Sequence, residues 1–400
     1  MGKYLEIANR ALEAGEYKKA LEYAEKSLAR DQYRLDALNT AALAATQLGE
    51  YQKALVYYEQ VLLVEGESPE VYYNLGLMYD YMGDHKGAIK IYREALAMAP
   101  DSTEIYLNLA NALAETGQTE AALAAYDEAL RSEPGNTDAL FDKGVTLDRA
   151  GRFQEASEIF AKLQSINPDD PAVHECRARS LCSMGRLGEA VAMFEKAAAL
   201  GPDRPSVYYN MALALERQGR KDEAVDALDK ALMLDPEFPG AALEKANILG
   251  DLEKDEEALI IYDHEAERDP DNPLVLFDRG ISLTRLGRHA EALKDFERTA
   301  AIDPDNLDAE NNRGNVLLAM GKTGEALDCF EGIIKRDKRN VMANYNKACA
   351  LARLGDAKGA AAALKRAAQQ DKAVLAQAES DPDFDPVRQH PDFLGIFSQK

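Results

Sequence analysis

Cysteine is scarce in this chain. The four present, Cys176, Cys182, Cys329 and Cys349, show no Cys-x-x-Cys spacing and no neighbouring histidine that would complete a zinc site. They read as small buried thiols of a reducing compartment. The five histidines stand in separate stretches, none paired with a nucleophile at useful spacing, which argues against a catalytic site. Positive charge is also short. Against 70 Asp and Glu there are 47 Lys and Arg, a net charge of −23, so the basic footprint that nucleic acid or an anionic membrane requires is missing. No apolar run approaches membrane-spanning length, and the opening MGKYLEIANR lacks the apolar core of a signal peptide. These absences predict a soluble, cytoplasmic, non-enzymatic protein with no cofactor, no metal, no nucleic acid and no membrane partner.

What the chain has is a period. Pro100, Pro134, Pro168, Pro202, Pro236, Pro270 and Pro304 follow one another at intervals of 34 residues. With Pro100 as position 32, eleven units run without insertion from residue 1 to 374. Position 20 is Ala in all eleven, position 8 is always Gly or Ala, and position 15 is Gly in ten, from Gly15 to Gly355. Two helices approach closely only where both faces carry small side chains, which explains positions 8 and 20. Gly at 15 ends a first helix in the left-handed conformation, and Pro at 32 follows a second helix it cannot continue. Aromatic rings at position 24, such as Tyr92, Tyr126 and Phe160, fill the space between units. Repeat eight departs most, with Glu253 in the turn and Glu265 at the usually small position 27.

This pattern resembles the tetratricopeptide repeat (TPR) family over residues 1 to about 374. The resemblance implies an all-α, right-handed superhelical solenoid of helix-turn-helix hairpins. Residues 375–400 then form a C-terminal capping segment, with Phe384, Val387, Phe393, Ile396 and Phe397 covering the last hairpin. In this family the first helix of each hairpin lines a concave groove, with positions 2, 5, 6, 9, 12 and 13 tending to face it.

Those positions supply the candidate peptide-binding residues. Asn occupies position 6 at Asn74, Asn108, Asn210, Asn312 and Asn346, and position 9 at Asn111, Asn247 and Asn315. An amide can both donate to and accept from an extended peptide backbone, which suits sequence-tolerant binding; the alternative is that Asn at position 6 is common in this family and bonds the next helix or water. Position 5 carries a ring in every second repeat, at Tyr73, Phe141, Tyr209, Phe277 and Tyr345. Position 13 carries Arg149, Arg217, Arg285 and Arg353. Rings and guanidinium groups suit a peptide with apolar and acidic side chains. The arginines have an alternative role, pairing with acidic neighbours such as Asp138, Asp142 and Asp278. No Lys stands at position 5, and position 2 is often acidic, which disfavours binding of a chaperone's acidic tail. The expected function is a scaffold holding a protein or peptide partner in the groove. Self-association as a homo-oligomer and a recruiting role in an enzyme complex stay open beside it.

Overall fold

The structure, a computed structural model, describes residues 2–32 and 34–397. Met1, Tyr33 and the last three positions of the expected capping segment (398–400) lie outside it. The chain divides into two compact units, Met1–Asp203 and Arg204–Lys400. All regular structure among the described residues is helical.

In the first unit the helices are α1 (Gly2–Glu13), α2 (Tyr17–Leu28), α3 (Leu35–Gln47), α4 (Tyr51–Glu65), α5 (Pro69–Tyr81) and α6 (His85–Met98). They continue with α7 (Thr103–Glu115), α8 (Thr119–Ser132), α9 (Thr137–Arg149), α10 (Phe153–Ile166), α11 (Pro171–Ser183) and α12 (Leu187–Leu200). The second unit opens with α13 (Pro205–Arg217), α14 (Lys221–Leu234), α15 (Ala241–Asp251), α16 (Asp255–Arg268), α17 (Pro273–Arg285) and α18 (His289–Ile302). It closes with α19 (Leu307–Ala319), α20 (Thr323–Arg336), α21 (Val341–Arg353), α22 (Ala357–Gln370), α23 (Ala373–Ser380), a 3₁₀ turn (Pro382–Phe384) and α24 (Pro391–Phe397). From α1 to α22 the helices pack as consecutive hairpins, and within each unit the second helix of one hairpin packs on the first helix of the next.

Every hairpin turn has the same chemistry. Gly15, Gly49, Gly83 and their counterparts take φ between 73° and 79°. The residue after each glycine donates its N–H back into the first helix, as Asp84 does to the Tyr79 carbonyl at 2.9 Å. This is the six-to-one bond that closes a helix on a left-handed residue. In repeat eight Glu253 adopts the same conformation at φ 59°, the one positive φ outside glycine among the described residues, and Lys254 donates to the Leu249 carbonyl at 2.9 Å. The turn geometry is therefore imposed by the hairpin even where the sequence resists it.

All eleven alanines at position 20 are fully buried. Where position 8 is Gly, the ring at position 24 fills the space a Cβ would take. A Cβ on Gly144 would sit 2.7 Å from Phe160 Cε1, and one on Gly280 would sit 2.8 Å from Phe296 Cε1. Helices α6, α8, α10, α14, α16 and α18 all stop two residues before the proline, and the residue between leaves the helical region, with ψ between 72° and 97°. A residue that precedes proline is pushed out of the helical region, which sets this boundary. Glu265 enters the position filled elsewhere by buried small or apolar groups; its carboxylate is drawn toward Arg268 at 3.2 Å.

Residues 381–397 fold back on the last hairpin. Phe384 and Phe393 are fully buried and stack at 5.1 Å, and Phe384 meets Tyr345 edge-on at 5.8 Å. The Tyr345 hydroxyl donates to Asp381 at 2.7 Å, and Arg353 Nε donates to Asp383 at 2.8 Å.

Candidate peptide-binding face

First helices touch their counterparts within each unit, as α5–α7–α9–α11 and α15–α17–α19–α21 do. Positions 2, 6, 9 and 13 fall on one stripe of each first helix, because three- and four-residue steps keep a side chain on one side.

In the first unit Tyr73 projects from α5 and its hydroxyl donates to Glu104 at 2.6 Å. Asn108 Nδ2 donates to that hydroxyl at 3.2 Å and to the Glu104 carbonyl at 2.9 Å. Burial and the Glu104 carboxylate together hold the Tyr73 phenol above its ordinary range. On the same helix as Asn108, Asn111 is engaged at both ends of its amide. Its Oδ1 accepts from the Tyr126 hydroxyl, and its Nδ2 donates to Asp142 at 3.0 Å. Burial raises the Asp142 carboxyl above the usual range, with the Asn111 donor pulling the other way. A cavity of about 220 Å³ opens here, lined in part by Asn111, Glu115, Asp142, Thr146 and Arg149. Arg149 reaches Glu115 on the preceding first helix at 3.0 Å, and Phe141 packs edge-on to Phe160.

In the second unit Tyr209 lies 5.3 Å from Phe238, and Arg217 is exposed. Burial and Glu216 hold the Glu244 carboxyl up, against a downward pull from Arg217. Phe277 packs edge-on to Phe296, and burial raises the neighbouring Asp278. Arg285 donates to the Gly250 carbonyl at 2.6 Å and lies 3.4 Å from Asp255. Arg353 repeats that bond, donating to the Leu318 carbonyl at 2.9 Å. The arginines' hydrogen-bond and ion-pair partners are thus Glu115, Asp255 and Asp383 and two helix-end carbonyls; of the acidic neighbours expected, Asp142 feels the Arg149 charge, which pulls its carboxyl down against burial.

The asparagines fall into two groups. Asn108 and Asn111 are tied to neighbours, and Asn346, buried, donates to Asn311 at 3.0 Å. Tyr345 is buried beneath the C-terminal segment. By contrast Asn74, Asn210, Asn312 and Asn315 are partly exposed, and no side-chain hydrogen bond joins them to any described residue. Sequence reasoning did not separate these groups, although a signal exists. In repeats four and eight a Tyr stands at position 24, and its hydroxyl occupies the Asn at position 9: Tyr126 on Asn111, and Tyr262 on Asn247 at 2.6 Å. Repeat ten has Phe330 at position 24, which leaves Asn315 open.

Family models described as tetratricopeptide repeat match residues 33–101, 81–129, 113–179, 177–242, 273–306 and 311–374. No curated protein matches the chain. Among solved structures, the C-terminal part of a TPR repeat-containing protein from Cytophaga hutchinsonii is 18% identical, with a TM-score of 0.52 over 59% of this chain and 97% of that one. A tetratricopeptide repeat protein from Parabacteroides merdae is also 18% identical, covering 62% of this chain and 98% of its own, at a TM-score of 0.48. YrrB, described as a TPR protein with an unusual peptide-binding site, is 20% identical, covering 46% of this chain and 95% of its own, at 0.41. No described helix is long and apolar enough to cross a membrane. With repeat models spread along most of its length and consecutive helical hairpins at the matched positions, this chain belongs to the tetratricopeptide repeat family.

Proposed function

We propose that this protein binds an extended segment of a partner protein along its first-helix faces, without catalysing a reaction. The fold is a protein-interaction scaffold, and the observation that carries the finer reading is the set of open amides. Asn74, Asn210, Asn312 and Asn315 are partly buried with no hydrogen-bonding partner among the described residues. A half-desolvated amide with both ends unused gains more from a ligand backbone than one already committed. Asn312 and Asn315 are one helical turn apart on α19 and can hold neighbouring peptide groups of one strand. Arg149 and Arg217, both exposed, offer charge-assisted bonds to acidic side chains of the bound segment. The division into an eleven-repeat array at 1–374 and a capping segment at 375–400 belongs to the same proposal: the array presents the faces and the segment seals the last hairpin.

The test is capture from a lysate of the source cells by the wild-type chain, beside a variant with Asn74, Asn210, Asn312 and Asn315 all changed to Ala. Partners held by the wild type and lost by the variant support the proposal. Partners held equally by both refute it.

A further inference from the structure

A second surface stands apart from the first-helix faces. A groove of about 620 Å³ opens between α22, the start of α23 and α24. Its apolar lining includes Ala361, Leu375 and Ile396. Lys358, Lys365 and Lys372 also line it, all exposed, and none has an ion-pair or hydrogen-bond partner among the described residues. Asp392 is the one acidic side chain lining it. In a chain of net charge −23, three unpaired ammonium groups beside an apolar floor form a local inversion of sign. The chain around it is unlike the rest: residues 307–400 carry 14 basic and 13 acidic side chains, whereas 205–306 carry 12 and 24.

The spacing says what kind of anion fits. Lys358 and Lys365 are seven residues apart on α22, about 10.5 Å along the helix axis, and Lys372 stands past the end of that helix, after the extended Asp371 and at the start of α23. An amphiphile with one headgroup would satisfy one lysine and leave the others unpaired. A second helix laid along α22, with carboxylates at the same seven-residue interval, meets Lys358 and Lys365 in turn, and Lys372 adds positive charge at the far end of the groove. Its apolar side chains, three and four residues on from each carboxylate, then face the floor. From this complementarity of charge and period we infer that the groove docks an acidic amphipathic helix of a partner protein. Electrostatic attraction between exposed groups speeds and orients such docking and is screened by salt.

The experiment uses the full chain and two synthetic fluorescent peptides of three heptads each, one with Glu at every seventh position and Leu three and four residues later, the other with Lys in place of Glu. Fluorescence anisotropy at low and high salt reads binding. The Glu peptide is expected to bind, to weaken as salt rises, and to lose affinity roughly tenfold in a Lys358→Glu, Lys365→Glu, Lys372→Glu variant. The Lys peptide is expected not to bind. All three substitutions are at exposed sites, and an unchanged circular dichroism melt shows the fold intact. A chain with Asn74, Asn210, Asn312 and Asn315 changed to Ala is expected to bind the Glu peptide as the wild type does, which separates this groove from the first-helix faces. The inference is overturned if the Glu peptide fails to bind at low salt, or if the triple variant or the Lys peptide binds equally well. Loss of Glu-peptide binding in the asparagine variant also overturns it. So does a groove that takes dodecanoate, but not the Glu peptide, in a lysine-dependent way.

Discussion

Replacing Glu253 by Gly should stabilise the chain, although Gly usually weakens a fold. Glu253 sits at φ 59°, where glycines in the ten other hairpin turns sit at 73° to 79°. A left-handed conformation costs a residue with a Cβ about 1–2 kcal/mol. Gly brings back an entropy loss of roughly 0.5–1 kcal/mol when the chain orders. The net expectation is a gain of about 0.5–1 kcal/mol. The side chain adds little to this balance, because Glu253 is exposed and bonded to no other described side chain. A repeat array need not melt as one unit, so the assay must be local. Amide hydrogen exchange across α15 and α16 should slow by about two- to fivefold in Glu253→Gly. The reciprocal change, Gly287→Ala in the next hairpin, should speed exchange across α17 and α18 by a similar factor. Unchanged or faster exchange in Glu253→Gly would refute the argument that the hairpin forces the left-handed turn on this residue.

Other substitutions test other links. Gly144→Ala brings a Cβ within 2.7 Å of the buried Phe160 ring and should cost about 1–3 kcal/mol, with Phe160→Leu restoring part of it in a thermal melt of the double variant. Phe384→Ala empties a fully buried site over Tyr345 and should cost about 3–5 kcal/mol, read as faster proteolysis of α21 and α22. The Asp142 carboxyl is raised by burial, so the folded chain holds that proton to higher pH than the unfolded chain. Its contribution to stability is therefore greatest in acid and falls as pH rises above the ordinary Asp value of about 4. Asp142→Asn keeps an acceptor for Asn111 and should flatten that fall, as pH-dependent denaturation curves would record. A carboxyl titration midpoint for Asp142 at or below the ordinary Asp value would contradict the direction. Cys329 is buried with its thiol pushed up to about 12, so it should resist alkylation at neutral pH until the chain unfolds.

Much of the fold could be read from single positions, because each repeat applies the same constraint. Ala at position 20 predicted a tight helix crossing, and all eleven are fully buried. Gly at position 15 predicted a left-handed turn, and that geometry appears even at Glu253. The state of the candidate site was harder to read, because it depends on pairs drawn from different positions. Whether Asn111 is open is decided by the Tyr126 hydroxyl from its own hairpin and by Asp142, 31 residues away. Arg285 and Arg353 spend a donor on the carbonyls of Gly250 and Leu318, and no side-chain pattern reports a backbone carbonyl. Tyr345 shares position 5 with Tyr73, but it lies under a segment outside the repeat register, so the periodic reading gives no account of its burial.

The most direct test of the central claim uses a captured partner segment and a single hydroxyl. Phe330→Tyr, by the geometry of Tyr126 and Tyr262, places a donor on Asn315 and ties up its carbonyl without removing the amide. Dissociation constants for the segment should then be measured by calorimetry for the wild type, Phe330→Tyr and Asn315→Ala. If open amides hold the partner, both substitutions weaken binding by about fivefold or more, the loss of roughly one net hydrogen bond. Affinities within a factor of two of the wild type in both would contradict the claim that the open asparagines are where the partner is held.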